Sequence, residues 1–293
     1  MTSPRGRWGA DSEWRLRIRH TTRYAYDAPV EASYNEARIT PLSTPSQVTI
    51  DARVVTSPPT TPFRYWDYWG ALVDAFDLHE PHDTLEVTGT SLVATNVAVG
   101  VAREEAGWVS LAEPAVLDDL CELLAPSAYV PASAELAAVA AEVRSRAPSP
   151  VQAAEDIAGI VHDRLAYEPG TTVVTTEAGE AWAAGRGVCQ DFAHVCIGIL
   201  RAAGIPARYV SGYLHPTVDA PPGDTVRGES HAWVEAWTGW WQPLDPTTAA
   251  TVGERHVIVA RGRDYRDVAP LRGIYTGAAT ERHEVEVAIT RLA

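Results

Sequence analysis

The chain has 293 residues, 46% of them hydrophobic, which is room for two domains with ample core. Its 38 acidic residues against 24 basic ones give a formal net charge of −14, which argues against nucleic acid or an anionic membrane as partner. No run approaches the roughly 18 apolar residues of a membrane span, the start lacks a signal-peptide core, and three cysteines make no disulfide framework, so a cytoplasmic location is expected.

Residues 1–12 read as a loose arm. From 13 to about 105 the chain shows short alternating stretches, such as Trp14-Arg15-Leu16-Arg17-Ile18 and residues 48–54. Turn clusters rich in Pro, Ser and Thr separate them, as at 56–62. This pattern predicts a β-sandwich-like domain. After Glu113 the period becomes helical. Helices are expected over 114–124, 133–146 and 149–165, with Pro114, Ser133 and Ser149 near their starts, and a short one over 177–184. The second domain is set at 106–275. In the remaining 276–293, residues 284–290 read as a strand whose sheet the pattern does not specify. The fold class is α+β.

The second domain carries the chemistry. Cys189 follows Gly185-Arg186-Gly187-Val188 and opens a run in which Phe192, Val195, Cys196, Ile199, Leu200 and Ala203 recur at helical spacing, stopped by Gly204. The sulfur therefore sits in the first turn of a helix. Unpaired backbone N–H groups there favour a thiolate and could hold the oxyanion of a tetrahedral intermediate. The two glycines let the backbone turn into the helix without crowding the sulfur. Asp191, two residues on, has to point away from it.

The partners lie on a probable hairpin, reached after a loop over 215–229. Residues 230–237 alternate, with His231, Trp233, Glu235 and Trp237 on one face. A two-residue turn at Thr238-Gly239 would set Asp245 on the face opposite His231. A three-residue loop, Thr238-Gly239-Trp240, pairs Trp233 with Asp245 instead and brings Asp245 diagonal to His231 on the same face. A thiol, an imidazole and a carboxylate so placed are the minimum kit for acyl transfer through sulfur.

Other residues take plainer roles. Cys196 and Cys121 read as small core hydrophobes, His194 as a buried hydrogen-bonding residue and Arg208 as an internal ion-pair partner. The tryptophans at 233, 237, 240 and 241 read mainly as packing. A zinc cluster of Cys189, His194 and Cys196 is disfavoured, because His194 projects away from the line of the two sulfurs. No cofactor and no metal is expected.

Residues 150–248 resemble the transglutaminase-like superfamily in its bacterial branch. The resemblance rests on Tyr167-Glu168-Pro169-Gly170, Gly187-Val188-Cys189-Gln190-Asp191-Phe192-Ala193-His194, residues 201–213, His231-Ala232-Trp233-Val234-Glu235 and Asp245-Pro246-Thr247. The N-terminal part is similar to the β-rich region that precedes this core in bacterial members, through residues 17–27 and Asp67-Tyr68-Trp69-Gly70. Such relatives usually carry Asn where this chain has Ala71.

The resemblance implies a papain-like core in which a helix bearing Cys packs on an antiparallel sheet bearing His and Asp. It assigns Cys189 as nucleophile, His231 as base and acid, and Asp245 as the residue that orients the imidazole. Tyr167 is the candidate for a second oxyanion donor, with Trp182 as an alternative; Gln190 follows the nucleophile and is a poor analogue of the upstream glutamine of papain-like enzymes. The implied activity is thiol-dependent cleavage of a peptide or other amide, with a peptide or protein as substrate. Transamidation by an amine, or peptide binding without catalysis on the same fold, are the alternatives. All 24 basic residues are Arg, so the protein has no lysine side chains of its own to crosslink.

Overall fold

The computed structural model describes residues 14–96, 104–228, 230–277 and 279–293; the arm expected over 1–12 lies outside them. Six strands come first: β1 (Trp14–Val30), β2 (Ala32–Ala37), β3 (Gln47–Ser57), β4 (Phe63–Trp66), β5 (Leu72–Leu78) and β6 (His82–Thr95). Helices α1 (Trp108–Leu111), α2 (Pro114–Asp119), α3 (Cys121–Leu124), α4 (Ala134–Arg146) and α5 (Pro150–Arg164) follow. Then come β7 (Ala166–Tyr167), α6 (Ala178–Ala184), β8 (Arg186–Gly187), α7 (Cys189–Ala202), β9 (Ala207–Leu214), β10 (Thr225–Gly228), β11 (Ser230–Trp237), β12 (Trp241–Leu244) and β13 (His256–Gly262). Helix α8 (Tyr265–Val268) and strands β14 (Leu271–Thr276) and β15 (Glu281–Arg291) end the chain.

The N-terminal strands form two sheets, ordered β10-β15-β1-β6-β3 and β14-β2-β5-β4. Strict alternation along the start of β1 turns Trp14, Leu16 and Ile18 inward. Ala37, Val54, Phe76, Leu78, Leu85 and Val87 pack between the sheets. The C-terminal strand β15 runs antiparallel to β1, with Ile289 opposite Ile18, and β10 adds to its far side. Strand β14 pairs with β2, with Ile274 opposite Tyr34. Residues 225–228 and 271–275, expected with the second domain, thus pair into the sheets of the first. Backbone pairing of this kind joins residues far apart in sequence, which local periodicity does not report.

The second half builds a four-stranded antiparallel sheet, β12-β11-β9-β13, with α7 across one face. Phe192, Val195, Cys196, Ile199 and Leu200 of α7 share one core with Ala232, Val234 and Ala236 of β11. Helices α4, α5 and α6 pack around α7. Ser133 and Ser149 cap α4 and α5 as expected, accepting from Leu136 N–H and Gln152 N–H. The helix expected over 114–124 is instead two short helices broken at Leu120, whose φ of −118° leaves the helical range. The break turns Leu123 inward and leaves Cys121 exposed, which corrects its expected core position. Cys196 is fully buried in the main core, and burial pushes its thiol pKa up.

Candidate active site

The chain enters α7 through a tight sequence of turns. Gly185 ends α6 in the left-handed region at φ +66°, a conformation that glycine adopts freely. Residues 186–187 then pair with 166–167 as a parallel bridge, Tyr167 opposite Gly187. At Gly187 an added Cβ would lie 2.6 Å from both the Cβ and Oδ2 of Asp191. The glycine makes room for this carboxylate, which accepts from Val188 N–H at 2.8 Å and from Thr172 Oγ1 at 2.7 Å. Asp191 thereby closes the helix start from within, and burial raises its pKa despite those bonds. Gln190 donates its side-chain amide to Val174 O at 2.9 Å. These bonds tie residues 172 and 174 to the first turn of α7, with Val173 and Val174 exposed beside it. Cys189 opens that turn, partly accessible, where the first N–H groups have no intrahelical acceptor.

The hairpin has the odd loop that the register argument requires. Trp237 pairs with Trp241 and Val234 with Leu244, which leaves residues 238–240 as the loop, closed by Thr238 N–H on Trp240 O at 3.0 Å. The same register continued sets Asp245 opposite Trp233. Nε2 of His231 lies 2.9 Å from Oδ2 of Asp245. Cys189 lies near enough to the ring to help raise its pKa. The structure therefore brings the three expected site residues together, with His231 bonded to Asp245 and Cys189 beside the imidazole.

A fourth residue, His256 of β13, escaped the sequence reading. Its Nδ1 accepts from Gly253 N–H at 3.2 Å, so the ring carries its proton on Nε2, which points at Asp245 Oδ2 across 3.4 Å. Asp245 takes three further bonds, from Thr248 Oγ1 at 2.6 Å, Thr247 N–H at 3.0 Å and Thr248 N–H at 3.3 Å. The Trp233 ring lies against both imidazoles, with centroids 6.0 Å from His231 and 5.3 Å from His256. It reaches there across Gly212, where a Cβ would collide with Val257 O and come within 2.6 Å of the indole.

Electrostatics follow from this packing. Burial alone would lower His231, but hydrogen bonds and charge from Asp245 and Cys189 outweigh it and raise the imidazole to about 9. Burial would raise Asp245; its two imidazole partners and Thr248 reverse that and hold it well below the usual carboxylate range. His256 moves the other way, lowered by burial more than Asp245 raises it. The site thus pairs a cationic His231 with a neutral His256 on one carboxylate. His231, Asp245 and His256 offer three ligand atoms within 4.8 Å of one another, the geometry of a metal cluster. The Nε2 proton of His256 is directed at the carboxylate, so its lone pair is not presented, and hydrogen bonding describes the group better than ligation.

The remaining expected residues fall as follows. Tyr167 is half exposed beside the approach to α7, its ring 6.5 Å from that of Phe192. Trp182 lies under the Arg164 guanidinium at 5.3 Å. His194 is wholly buried, accepts from Tyr265 N–H at 3.1 Å and is lowered to about 3 by that burial, as befits a structural residue. Arg208 pairs internally with Glu235 at 2.6 Å. Trp233 is core, whereas Trp237, Trp240 and Trp241 stay partly exposed. At Asp67–Ala71 the left-handed residue is Gly70, at φ +77°, and Ala71 is buried without strain. Among the described residues no helix is long and apolar enough to cross a membrane.

Comparison with known proteins gives the family and the fold. Residues 137–246 match the model of the transglutaminase-like superfamily, and residues 16–94 that of the bacterial transglutaminase-like N-terminal region. An uncharacterised protein of Mycobacterium leprae is 47% identical over 281 residues, covering 96% of this chain and 100% of that protein. One from Mycobacterium tuberculosis is 35% identical over 305 residues, 93% of this chain and 91% of that one. A protein-glutamine gamma-glutamyltransferase of Pseudomonas aeruginosa is 41% identical over 66 residues, only 21% of this chain and 10% of that enzyme. The crystal structure of a Cytophaga hutchinsonii protein, provisionally described as a cysteine protease, superposes with TM-score 0.76 over 96% of this chain and 91% of that one, at 24% identity.

Proposed function

The chain belongs to the transglutaminase-like superfamily, and from that membership and the site's geometry we propose that it is a thiol-dependent acyl-transfer enzyme that hydrolyses a peptide or other amide bond. The observation that carries the reading is the His231–Asp245 hydrogen bond set beside Cys189 at the start of α7. The His231 ring beside the sulfur is placed to carry protons between the thiol, the leaving nitrogen and water.

The steps balance as follows. The Cys189 sulfur attacks the amide carbon, forming C–S and moving the carbonyl electrons onto oxygen. The N–H groups opening α7 receive that oxyanion, with Tyr167 as the candidate second donor. His231 gives its proton to the departing nitrogen as C–N breaks, leaving a thioester. Neutral His231 then takes a proton from water, whose oxygen attacks the thioester carbon. C–S breaks, and acid and thiolate are released. Asp245 keeps the imidazole aligned and stabilises its cation throughout.

An amine in place of water would make the enzyme a transamidase, and the short match to the gamma-glutamyltransferase favours keeping that reading open. Hydrolysis is preferred because it needs only an accessible thioester, whereas transamidation needs an amine site for which no residue set has been assigned. The test is incubation with a peptide library, with and without a primary amine. Free acids as the main products support the hydrolase; amine-linked products at millimolar amine replace it with the transferase.

A further inference from the structure

The sheet face turned away from α7 holds a second site that the proposed reaction does not use. A cavity of about 580 Å³ lies between β11–β13 and the turn at residues 43–46, walled by the indoles of Trp233, Trp240 and Trp241. At its centre the buried carboxylate of Glu235 accepts from Arg208 at 2.6 Å and from Arg261 at 2.8 and 3.1 Å. Among the described residues, two guanidiniums on one carboxylate leave one positive charge without an ion-pair partner, in a chain whose net charge is −14. The other titratable group in the wall, His256, is held towards neutrality by burial.

That surplus is costly where water is scarce. Both arginine side chains are only 19% exposed, and burial lowers Arg208 to about 10 although Glu235 opposes the shift. The Arg208 guanidinium lies over Trp241, 3.8 Å from the ring centroid, a contact that holds it without neutralising it. The Nε1–H of Trp233 is buried without an acceptor among the described residues. The same two arginines also line an adjoining groove of about 660 Å³ that runs to Trp66 and Trp69. There Arg64 is already paired with Asp74 at 2.8 Å, and Asp51 is exposed on the edge strand β3.

We propose that this cleft binds a small organic anion with a flat apolar body, its carboxylate on the Arg208–Arg261 pair and its body against the indole wall. Arginine forks suit carboxylate geometry, and a ligand of this kind fills a cavity of ordinary size. Neither Cys189 nor His231 lines the cleft, but His256 does, and it touches Asp245. The bound anion would sit one side chain behind the carboxylate of the thiol site.

Isothermal titration calorimetry on the full chain tests this with three probes of one shape, 2-naphthoate, 2-naphthylmethanol and 2-naphthylmethylamine. Naphthoate is expected to bind about tenfold or more tightly than the alcohol, and the amine more weakly than either. Arg261→Gln, which leaves Arg208 and Glu235 balanced, should abolish the preference for the acid; Glu235→Gln should strengthen it. Circular dichroism checks both folds. Should a variant not fold, naphthoate protection of Arg208 and Arg261 from phenylglyoxal in the natural chain, read by peptide mass spectrometry, locates the site. Equal binding of acid and alcohol, no binding of the acid at millimolar concentration, an unchanged preference in folded Arg261→Gln, or no protection of the two arginines would each overturn the proposal. Binding is the readout, so the result is independent of the thiol chemistry.

Discussion

His256 and Asp245 meet through one hydrogen bond, Nε2 to Oδ2 at 3.4 Å, on the same oxygen that holds His231 at 2.9 Å. One carboxylate thus positions two imidazoles. His256 is bonded to Asp245, the carboxylate that holds His231, so it acts through Asp245 as a positioning residue. His256→Gln is predicted to lower kcat about tenfold with KM little changed, because substrate contacts stay while imidazole alignment loosens. Asp245→Asn should cost more, about a hundredfold or beyond, because it also removes the charge that stabilises the imidazolium. Steady-state kinetics of the two variants decides; an unchanged kcat in His256→Gln removes it from the machinery.

Stability should fall in alkali because of His231. Its folded pKa, about 9, stands above the ordinary 6.5, so its contribution is fully present below pH 6.5 and is lost as pH rises through 9. At 1.36 kcal/mol per unit the contribution is about 3 kcal/mol as an order of magnitude. Asp245 works oppositely: its lowered pKa gives stability that is present above the ordinary 3.8 and lost on acidification. Thermal melts at pH 6 and pH 10 should show a drop in the natural chain that is much smaller in His231→Gln. Cys189→Ala should shrink it as well, since Cys189 helps to raise the imidazole. Equal drops in all three proteins would refute the coupling.

Exposure and reactivity part company among the cysteines. Cys121 is the exposed one, Cys189 is only partly accessible and Cys196 is buried. Brief iodoacetamide labelling at pH 6.5 should nevertheless mark Cys189 first, because it opens a helix with the His231 ring beside it, the setting of a nucleophile with its base. His231→Gln should bring its rate down to that of Cys121 or below. Peptide mapping reads the order. Labelling of Cys121 ahead of Cys189 in the natural chain would sink the nucleophile assignment.

Gly212 is a packing prediction. The Trp233 ring crosses its Cα and the Val257 carbonyl abuts it. Gly212→Ala forces the indole or β13 to move and is predicted to cost about 1–3 kcal/mol, as overpacked cores do. It should lower activity as well, because the same ring lies against His231 and His256. A denaturant midpoint and kcat equal to those of the natural chain would show that the ring is not the support described.

The site was legible where its signals are local. Gly185, Gly187 and the helical spacing after Cys189 announce a helix start, and strand alternation, given a His231–Asp245 pair, called for an odd loop or a bulge before Asp245. His256 was not legible. It stands eleven residues beyond Asp245 on another strand, β13, whose register against β9 shifts between Ile258 and Ala260, so no fixed spacing links the two. The destinations of β10, β14 and β15 were hidden for a related reason, because strand pairing depends on distant partners rather than on each strand's own pattern. Cys121 was misplaced because its apolar spacing runs across Leu120, and the break there rotates the following turn.

The central claim is that Cys189 carries the acyl group. The most direct measurement is acid-quenched mass spectrometry of the full chain mixed with a peptide library, in the natural form and as Cys189→Ala and His231→Ala, with circular dichroism confirming each fold. A hydroxylamine-labile acyl group is expected on Cys189 in the natural protein, much less of it in His231→Ala, and neither adduct nor amide turnover in Cys189→Ala. Amide turnover that survives in folded Cys189→Ala would contradict it outright.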